Sequence, residues 1–323
     1  MEKVKIGIVG TGYVGNVHGG IYAREPRAEV AALFDIIPER AEATAKRIGG
    51  KVCSSQEELL DNCDAVLVCA PNKTHISIAS AAIEAAKHVF CEKPFSLGIE
   101  DAALLLERAN ASQKVFQVGH NRRFAPVYTT LKEMIATDPA HSAHIKMNRG
   151  ELKNPVWTGD VSVTGGFLYE TTIHFFDMLR FQFGEIEELV AYGSQHEYPE
   201  IDEFSIIFKF KSGFHCSFAS SADASWLFPF ERIEVFCHHR TIITEEMLRV
   251  LDCRGTHADF TTHSFHTFEE DHRRGFLQED ASFIDCILNG TEPKVTAYDG
   301  YKAVELVESV YRAIRTGERV RFE

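Results

Sequence analysis

The sequence predicts an α/β protein: a doubly wound parallel sheet in the N-terminal part, followed by an α/β domain built on an open, mainly antiparallel sheet. Three observations carry that reading. Short β-branched runs alternate with longer helical patterns from Val4 to Gly119, a glycine-rich turn follows the first run directly, and after Asp202 the apolar residues switch to a period of two. At about 150 residues per domain, a chain of 323 residues makes two domains. The expected division is 1–121 and 122–323.

Val4 to Val9, Val30 to Phe34, Ala65 to Ala70, His88 to Cys91 and Val115 to Val118 read as buried strands. Between them, Pro38 to Ile48, Thr74 to Ala86 and Ile99 to Ala111 carry the Ala, Leu, Ile and Glu content that suits helices. Strands and helices in this alternation make a parallel sheet with right-handed crossovers. Past Arg122 come a helical segment to Ala136, a strand-like stretch from Ala143, a loop rich in Asn, Pro, Trp and Gly (Lys153 to Gly166) and an apolar helix from Phe167 to Phe183. Phe204, Ile206, Phe208 and Phe210 share one face of an alternating run. Phe214, Cys216 and Phe218 repeat it beyond Ser212-Gly213, which predicts a hairpin in an antiparallel sheet. Helices at Gly275 to Leu288 and Tyr298 to Ile314 close the chain and are free to pack back on the first domain.

Composition excludes several classes. Apolar residues make up 45% and charged residues 25%, as in ordinary soluble globular proteins. Lys plus Arg number 34 against 47 for Asp plus Glu, and the resulting net charge of −13 repels phosphate backbones and anionic lipid. Nucleic acid and membrane surfaces are therefore not expected partners. The longest apolar stretch, around Ala65 to Ala70, falls far short of the ~20 residues of a membrane span, and the chain runs directly into its first strand, so no leader is expected. Eight cysteines without a Cys-x-x-Cys pair fit a reduced compartment, so a cytoplasmic location is expected and a cysteine zinc knuckle is not.

Gly10-Thr11-Gly12-Tyr13-Val14-Gly15 sits between the first strand and the first helix. The first glycine permits the tight turn, the second lets the backbone approach a pyrophosphate, and the third packs helix on strand. Gly10, Thr11, Gly12, Tyr13 and Val14 are thus candidate cofactor-binding residues. Asp35 ends the second strand about 20 residues beyond Gly15, where a carboxylate accepts from an adenosine ribose and repels a 2′-phosphate. NAD is favoured over NADP, with Arg40 as the residue that could reverse the preference. The competing readings are a glycine-rich turn without a nucleotide and a strand-end acid that caps the next helix.

The strand from His88 ends in Cys91-Glu92-Lys93-Pro94. Carboxyl ends of strands line the cofactor crevice of a doubly wound sheet, which brings Lys93 to the nicotinamide position. This motif, the glycine turn, Cys69-Ala70-Pro71-Asn72-Lys73-Thr74-His75 and Val118-Gly119-His120-Asn121-Arg122-Arg123-Phe124 together resemble the glucose-fructose oxidoreductase/inositol dehydrogenase (Gfo/Idh/MocA) family over nearly the whole chain. Gly119 to Tyr128 and Gly275 to Gly290 are also similar to its MviM-type branch. The resemblance implies an N-terminal Rossmann domain and a C-terminal α/β domain whose open sheet often mediates association. Asn72 and His75 then face the nicotinamide ribose, and Pro71, Glu92 and Asn121 complete the expected cofactor set. For His75 a plain polar residue at a helix start is the alternative.

Family members carry a glycine-rich turn and then Asp-x-Gly-x-His on a helix, and the match here is Gly165-Gly166 followed by Glu170, Thr172 and His174. Glu170, His174 and Asp177 fall at i, i+4 and i+7, one polar stripe on an apolar helix. The resemblance makes His174 the proton acceptor for a substrate hydroxyl, with Glu170 orienting its ring or holding the substrate. The other reading is a buried histidine satisfied by its helix neighbour. Glu170 is one methylene longer than the family's Asp, and Thr172 adds bulk in place of Gly, which reshapes the pocket floor.

Arg122 and Arg123 could balance cofactor or substrate charge or anchor carboxylates within the fold, and Trp157 could flank a substrate or simply pack. His238, His239, His257, His263, His266 and His272 fit no metal-ligand spacing, so no metal is expected. The expected function is hydride transfer between NAD(P) and a hydroxyl or carbonyl of a sugar, inositol or nucleotide-sugar derivative, catalysed by Lys93, His174 and Glu170. The rivals are a dinucleotide-binding sensor or scaffold without turnover and an NAD-dependent, redox-neutral glycosidase. A cis Lys93-Pro94 bond is expected, with Lys93 and His174 opening onto one cavity across the domain boundary. The sheet face bearing Ser205, Ile207, Lys209, His215, Ser217 and Ala219 is expected to build a homodimer or homotetramer.

Overall fold

The computed structural model describes residues 3–149, 156–225, 230–255 and 259–322, with the backbone alone at 156, 157 and 259. The chain forms two compact units, residues 1–121 with 276–304, and residues 122–275 with 305–323.

In the first unit the strands β1 (Val4–Val9), β2 (Ala28–Phe34), β3 (Lys51–Val52), β4 (Ala65–Val68), β5 (His88–Glu92) and β6 (Phe116–Gly119) alternate with α1 (Tyr13–Tyr22), α2 (Pro38–Ile48), α3 (Gln56–Asp61), α4 (His75–Glu84) and α5 (Ile99–Ala111). All strand pairs are parallel, in the order β3-β2-β1-β4-β5-β6. That is the doubly wound order with a reversal between β1 and β4, where such folds bind ligands. Ile6, Ile8, Leu67 and Phe90 fill the core under α1, because strands covered on both faces are apolar throughout. Local chemistry sets the helix starts. Pro38 supplies the first turn of α2, and the Ser55 hydroxyl accepts from the Glu58 amide at the head of α3.

The second unit contains α6 (Pro126–Thr137), β7 (Ser142–Asn148), α7 (Val161–Thr164), α8 (Ile173–Phe183), β8 (Ile186–Ser194), β9 (Glu203–Phe210), β10 (His215–Ser221), β11 (Glu231–Cys237), β12 (Arg240–Glu245), β13 (Arg249–Arg254), β14 (Asp259–Ser264) and α9 (Glu270–Arg273). Two helices follow, α10 (Phe276–Asn289) in the first unit and α11 (Ala297–Thr316), which the division cuts after Val304, before β15 (Val320–Arg321). Nine strands make one sheet in the order β14-β13-β12-β11-β7-β10-β9-β8-β15. Only the β7–β10 pair is parallel among the described strands, so the sheet is mainly antiparallel, as the alternation predicted.

The hairpin β9–β10 turns at Ser212-Gly213 with its phenylalanines on the covered face. There Phe208 and Phe218 meet Phe176, and Phe218 also meets Phe175, at 5.9–6.1 Å between ring centres. The long apolar helix expected from Phe167 opens with a π turn over Leu168–Thr172 before regular α-helix resumes. Pro126 also delays α6, because Ala125 before it is extended and a short 3-10 turn occupies Asn121–Phe124.

Candidate active site

The carboxyl edge of the first unit's sheet gathers most of the residues picked out by sequence. Gly10 leaves β1 at φ +92°, and a Cβ there would lie 2.5 Å from the Cys69 carbonyl oxygen, so only glycine closes this turn. Around Gly12 a Cβ would meet nothing within 4 Å. The N-cap of α1 is Gly12 itself, which offers no side-chain cap to the helix's first amides. Tyr13 is exposed and Val14 half-buried beside it. Asp35, at the end of β2, ties the turn down: Oδ2 accepts from the Thr11 amide at 2.8 Å and the Thr11 hydroxyl at 3.0 Å, while Oδ1 accepts from the Ile37 amide. Pro71 is exposed beyond β4, and Asn72 and, beyond β6, Asn121 are buried.

Lys93 is half-buried at the end of β5, and the Lys93-Pro94 bond is cis. Two buried side chains brace this turn. The Nδ1 of His75 lies 2.7 Å from the Pro94 carbonyl oxygen, and its Nε2 lies 2.8 Å from that of Ala70. Burial pushes His75 toward its neutral form, against two carbonyls that each call for a donor. Glu92 accepts from the Lys93 amide through Oε2 at 3.0 Å, and its Oε1 lies 3.0 Å from Nε2 of His18. His18 Nδ1 in turn lies 2.7 Å from Oδ1 of Asp280 on α10.

In the second unit the π turn places Glu170 and α8 begins with His174 at its second position, both half-buried. Thr172 beneath them is fully buried, and its hydroxyl lies 2.9 Å from that of Ser220 on β10. Asp177, expected on the same polar stripe, turns inward instead. Its carboxylate accepts from Arg123 Nε at 2.8 Å and from the terminal nitrogen Nη2 at 2.6 Å. The π turn advances each residue by a smaller angle than an α-turn does, which breaks a stripe drawn at period 3.6. Arg122 likewise pairs with buried Glu231, which also accepts from the Tyr128 hydroxyl at 2.6 Å. Both arginines therefore anchor carboxylates within this unit.

Comparison with known proteins decides the family. The model of the oxidoreductase family with an NAD-binding Rossmann fold matches residues 4–120, and the model of its C-terminal α/β domain matches residues 132–322. The chain belongs to the Gfo/Idh/MocA family. Among its relatives is a myo-inositol 2-dehydrogenase of Thermotoga maritima, 30% identical over 99% of both chains. An inositol 2-dehydrogenase of Rhizobium meliloti is 28% identical over 96% of this chain and 97% of its own. A levoglucosan dehydrogenase solved with NADH and levoglucosan superposes with a TM-score of 0.91 over 99% of both chains at 19% identity, which shows a shared fold.

This Gfo/Idh/MocA member is accordingly an NAD-dependent dehydrogenase. Its residues fit the cofactor, because the open space over Gly12 and the uncapped amides of α1 form a cradle that a Cβ would begin to fill. Sequence reading did not single out His18, Glu279 and Asp280, which lie around Glu92 in the first unit, or Tyr22 beside Asp280. A histidine on the buried face of α1 was the only local signal. Trp157 and His257 were also singled out, but the Trp157 side chain and all of His257 lie outside the described residues. Among the described residues no helix is long and apolar enough to cross a membrane.

Proposed function

We propose that the enzyme oxidises a secondary hydroxyl of a cyclic polyol, with inositols as the first candidates and sugars or nucleotide sugars as the wider class, and reduces the ketone in reverse. The observation that carries this reading is the end-to-end match to a myo-inositol 2-dehydrogenase. Bound NAD supplies the chemistry of hydride acceptance and return. Gly10, Thr11, Gly12, Tyr13, Val14, Asp35, Pro71, Asn72, Lys93 and Asn121 hold the dinucleotide in this proposal, with His75 and Glu92 as the frame behind Lys93. His174 takes the hydroxyl proton as the carbonyl forms, and Glu170 orients the His174 ring or the substrate. The Lys93 ammonium stabilises negative charge developing on the reacting oxygen. We extend the proposal to a homo-oligomer: Tyr192 (75% exposed) and Ile207 (53% exposed) stand on adjacent strands β8 and β9 beside exposed Ser205 and Lys209, a half-apolar sheet face for a second copy. A monomer in sedimentation at micromolar concentration counts against that extension.

The test is NADH formation, read by absorbance, against a panel of inositols, sugars, sugar phosphates and nucleotide sugars. His174→Asn is expected to lower kcat by about 10²–10⁴-fold with NAD affinity unchanged. A protein that binds NAD and turns over no member of the panel would be a sensor. One that cleaves a glycoside without net NADH would be the redox-neutral glycosidase.

A further inference from the structure

We propose that His18 is a positioning residue for Lys93: its doubly protonated ring, fixed between Asp280 and Glu92, locks the Glu92 carboxylate that in turn holds the Lys93 backbone. The inference rests on the proposed role of Lys93 and concerns only residues of the first unit.

The geometry carries it. His18 is fully buried on α1, and each ring nitrogen lies within hydrogen-bond distance of a carboxylate oxygen, Nδ1 at 2.7 Å from Asp280 and Nε2 at 3.0 Å from Glu92. A neutral imidazole has one N–H, so with both carboxylates ionised only the imidazolium donates to both; burial pushes the Asp280 carboxyl up, against the pull of the His18 charge and the hydrogen bonds from His18 and Tyr22. Phe90 and Phe276 pack edge-on against the ring at 4.9 and 5.4 Å. Glu92 is therefore gripped at Oε1 by His18, while Oε2 accepts from the Lys93 amide at 3.0 Å.

Gly119, opposite Glu92 in the β5–β6 register, completes the fit. A Cβ on Gly119 would come within 2.9 Å of the Glu92 carboxyl carbon and Oε1. On the other side of Lys93, His75 holds the Pro94 carbonyl. The lysine thus leaves a turn whose preceding and following residues are both tied to buried imidazoles.

The charged and titratable groups around this ring come from several elements. They are Glu92 from β5, Asp280 and Glu279 from α10, Tyr22 from α1 itself and Cys69 after β4, with Lys93 and His75 acting on Glu92. Burial disfavours the charged ring, but the two carboxylates outweigh it and hold His18 well above the ordinary histidine range. Glu92 is held below the ordinary glutamate range despite its burial, chiefly by His18. A buried group that carries only structural load needs neither this protonation state nor a link to the Lys93 amide.

The experiment uses the full-length enzyme. Nitrogen NMR of the histidine-labelled protein is expected to show the His18 ring doubly protonated from pH 6 to pH 9, where a free histidine of pKa about 6.5 has lost its charge. A ring that titrates near the free value overturns the proposal. So does a stoichiometric divalent metal that is lost in His18→Gln, because His18, Glu92 and Glu279 lie close enough to share one. His18→Gln should lower kcat by about 10- to 100-fold with the dissociation constant for NADH within about threefold, as expected for a misplaced catalytic group. The same substitution should have no further effect in a Lys93→Ala background, and Gly119→Ala should reproduce the kcat loss with His18 intact. Additive losses overturn the positioning role and leave the function intact, whereas unchanged kcat in Lys93→Ala overturns the role of the lysine itself. Should His18→Gln fail to fold, the ring titration decides.

Discussion

Arg123 and Asp177 form a two-pronged ion pair at 2.6 and 2.8 Å inside the second unit, with the aspartate fully buried three residues after His174 on α8. The pair ties the short turn at Asn121–Phe124 to the helix that carries the candidate proton acceptor. Breaking a buried pair strands a charge, which costs about 3–5 kcal/mol, whereas replacing both partners with apolar residues of similar volume is often neutral. Asp177→Asn should therefore lower the denaturation midpoint sharply. Arg123→Met with Asp177→Leu should recover much of the loss, and a double variant no more stable than Asp177→Asn would show that the charges themselves are required.

Gly10 and Gly12 stand two residues apart and should respond in opposite ways. Gly10→Ala meets the Cys69 carbonyl at 2.5 Å with φ at +92°, so it should destabilise the first unit. Gly12→Ala meets nothing of the protein, so thermal stability should change by no more than about 0.5 kcal/mol. Its methyl would occupy the cradle, and NAD affinity measured by fluorescence titration should fall. Unchanged affinity would move the pyrophosphate away from this turn.

Asp35 should set the cofactor preference. NAD is expected to bind more tightly than NADP, and Asp35→Ser to narrow the gap by removing the negative charge that opposes a 2′-phosphate. The same change removes the acceptor for the Thr11 amide and hydroxyl, so a modest loss of stability should accompany it. Equal affinities in the unsubstituted protein would point to exposed Arg40 instead.

Glu246 should make the second unit sensitive to pH. Burial, with help from nearby Glu231, pushes its carboxyl up to about 7, against the Phe230 amide that it accepts. Between the unfolded value near 4.5 and the folded value near 7 the native state binds more protons than the unfolded chain, so stability falls as pH rises through that window. Glu246 is only partly buried, which reduces the effect to about 1 kcal/mol, or a few degrees of Tm. Glu246→Gln should flatten the decline of Tm from pH 5 to pH 8. A slope unchanged in that variant would assign it to another group.

What the sequence determined by itself was whatever a short window can encode. Five of the six parallel strands, the glycine turn and the hairpin at Ser212-Gly213 were legible, because strand period, turn residues and helix composition are set by neighbours in the chain. The two-residue strand β3 was not picked out, since two residues define no period, and β11 to β14 were not separated from the general alternation after Asp202, because which strand pairs with which is set by distant residues. The candidate site divides in the same way. Lys93 and Asp35 could be placed from their positions at strand ends, and His174 from the motif around it. The surroundings of Glu92 could not, because its partner His18 is 74 residues away and Asp280 lies 262 residues beyond His18. A buried carboxylate must find a partner, but only the packed structure decides which distant side chain supplies it. The π turn before His174 belongs to the tertiary structure too: 3.6-residue periodicity put Asp177 beside Glu170, and burial against Arg123 took it inside.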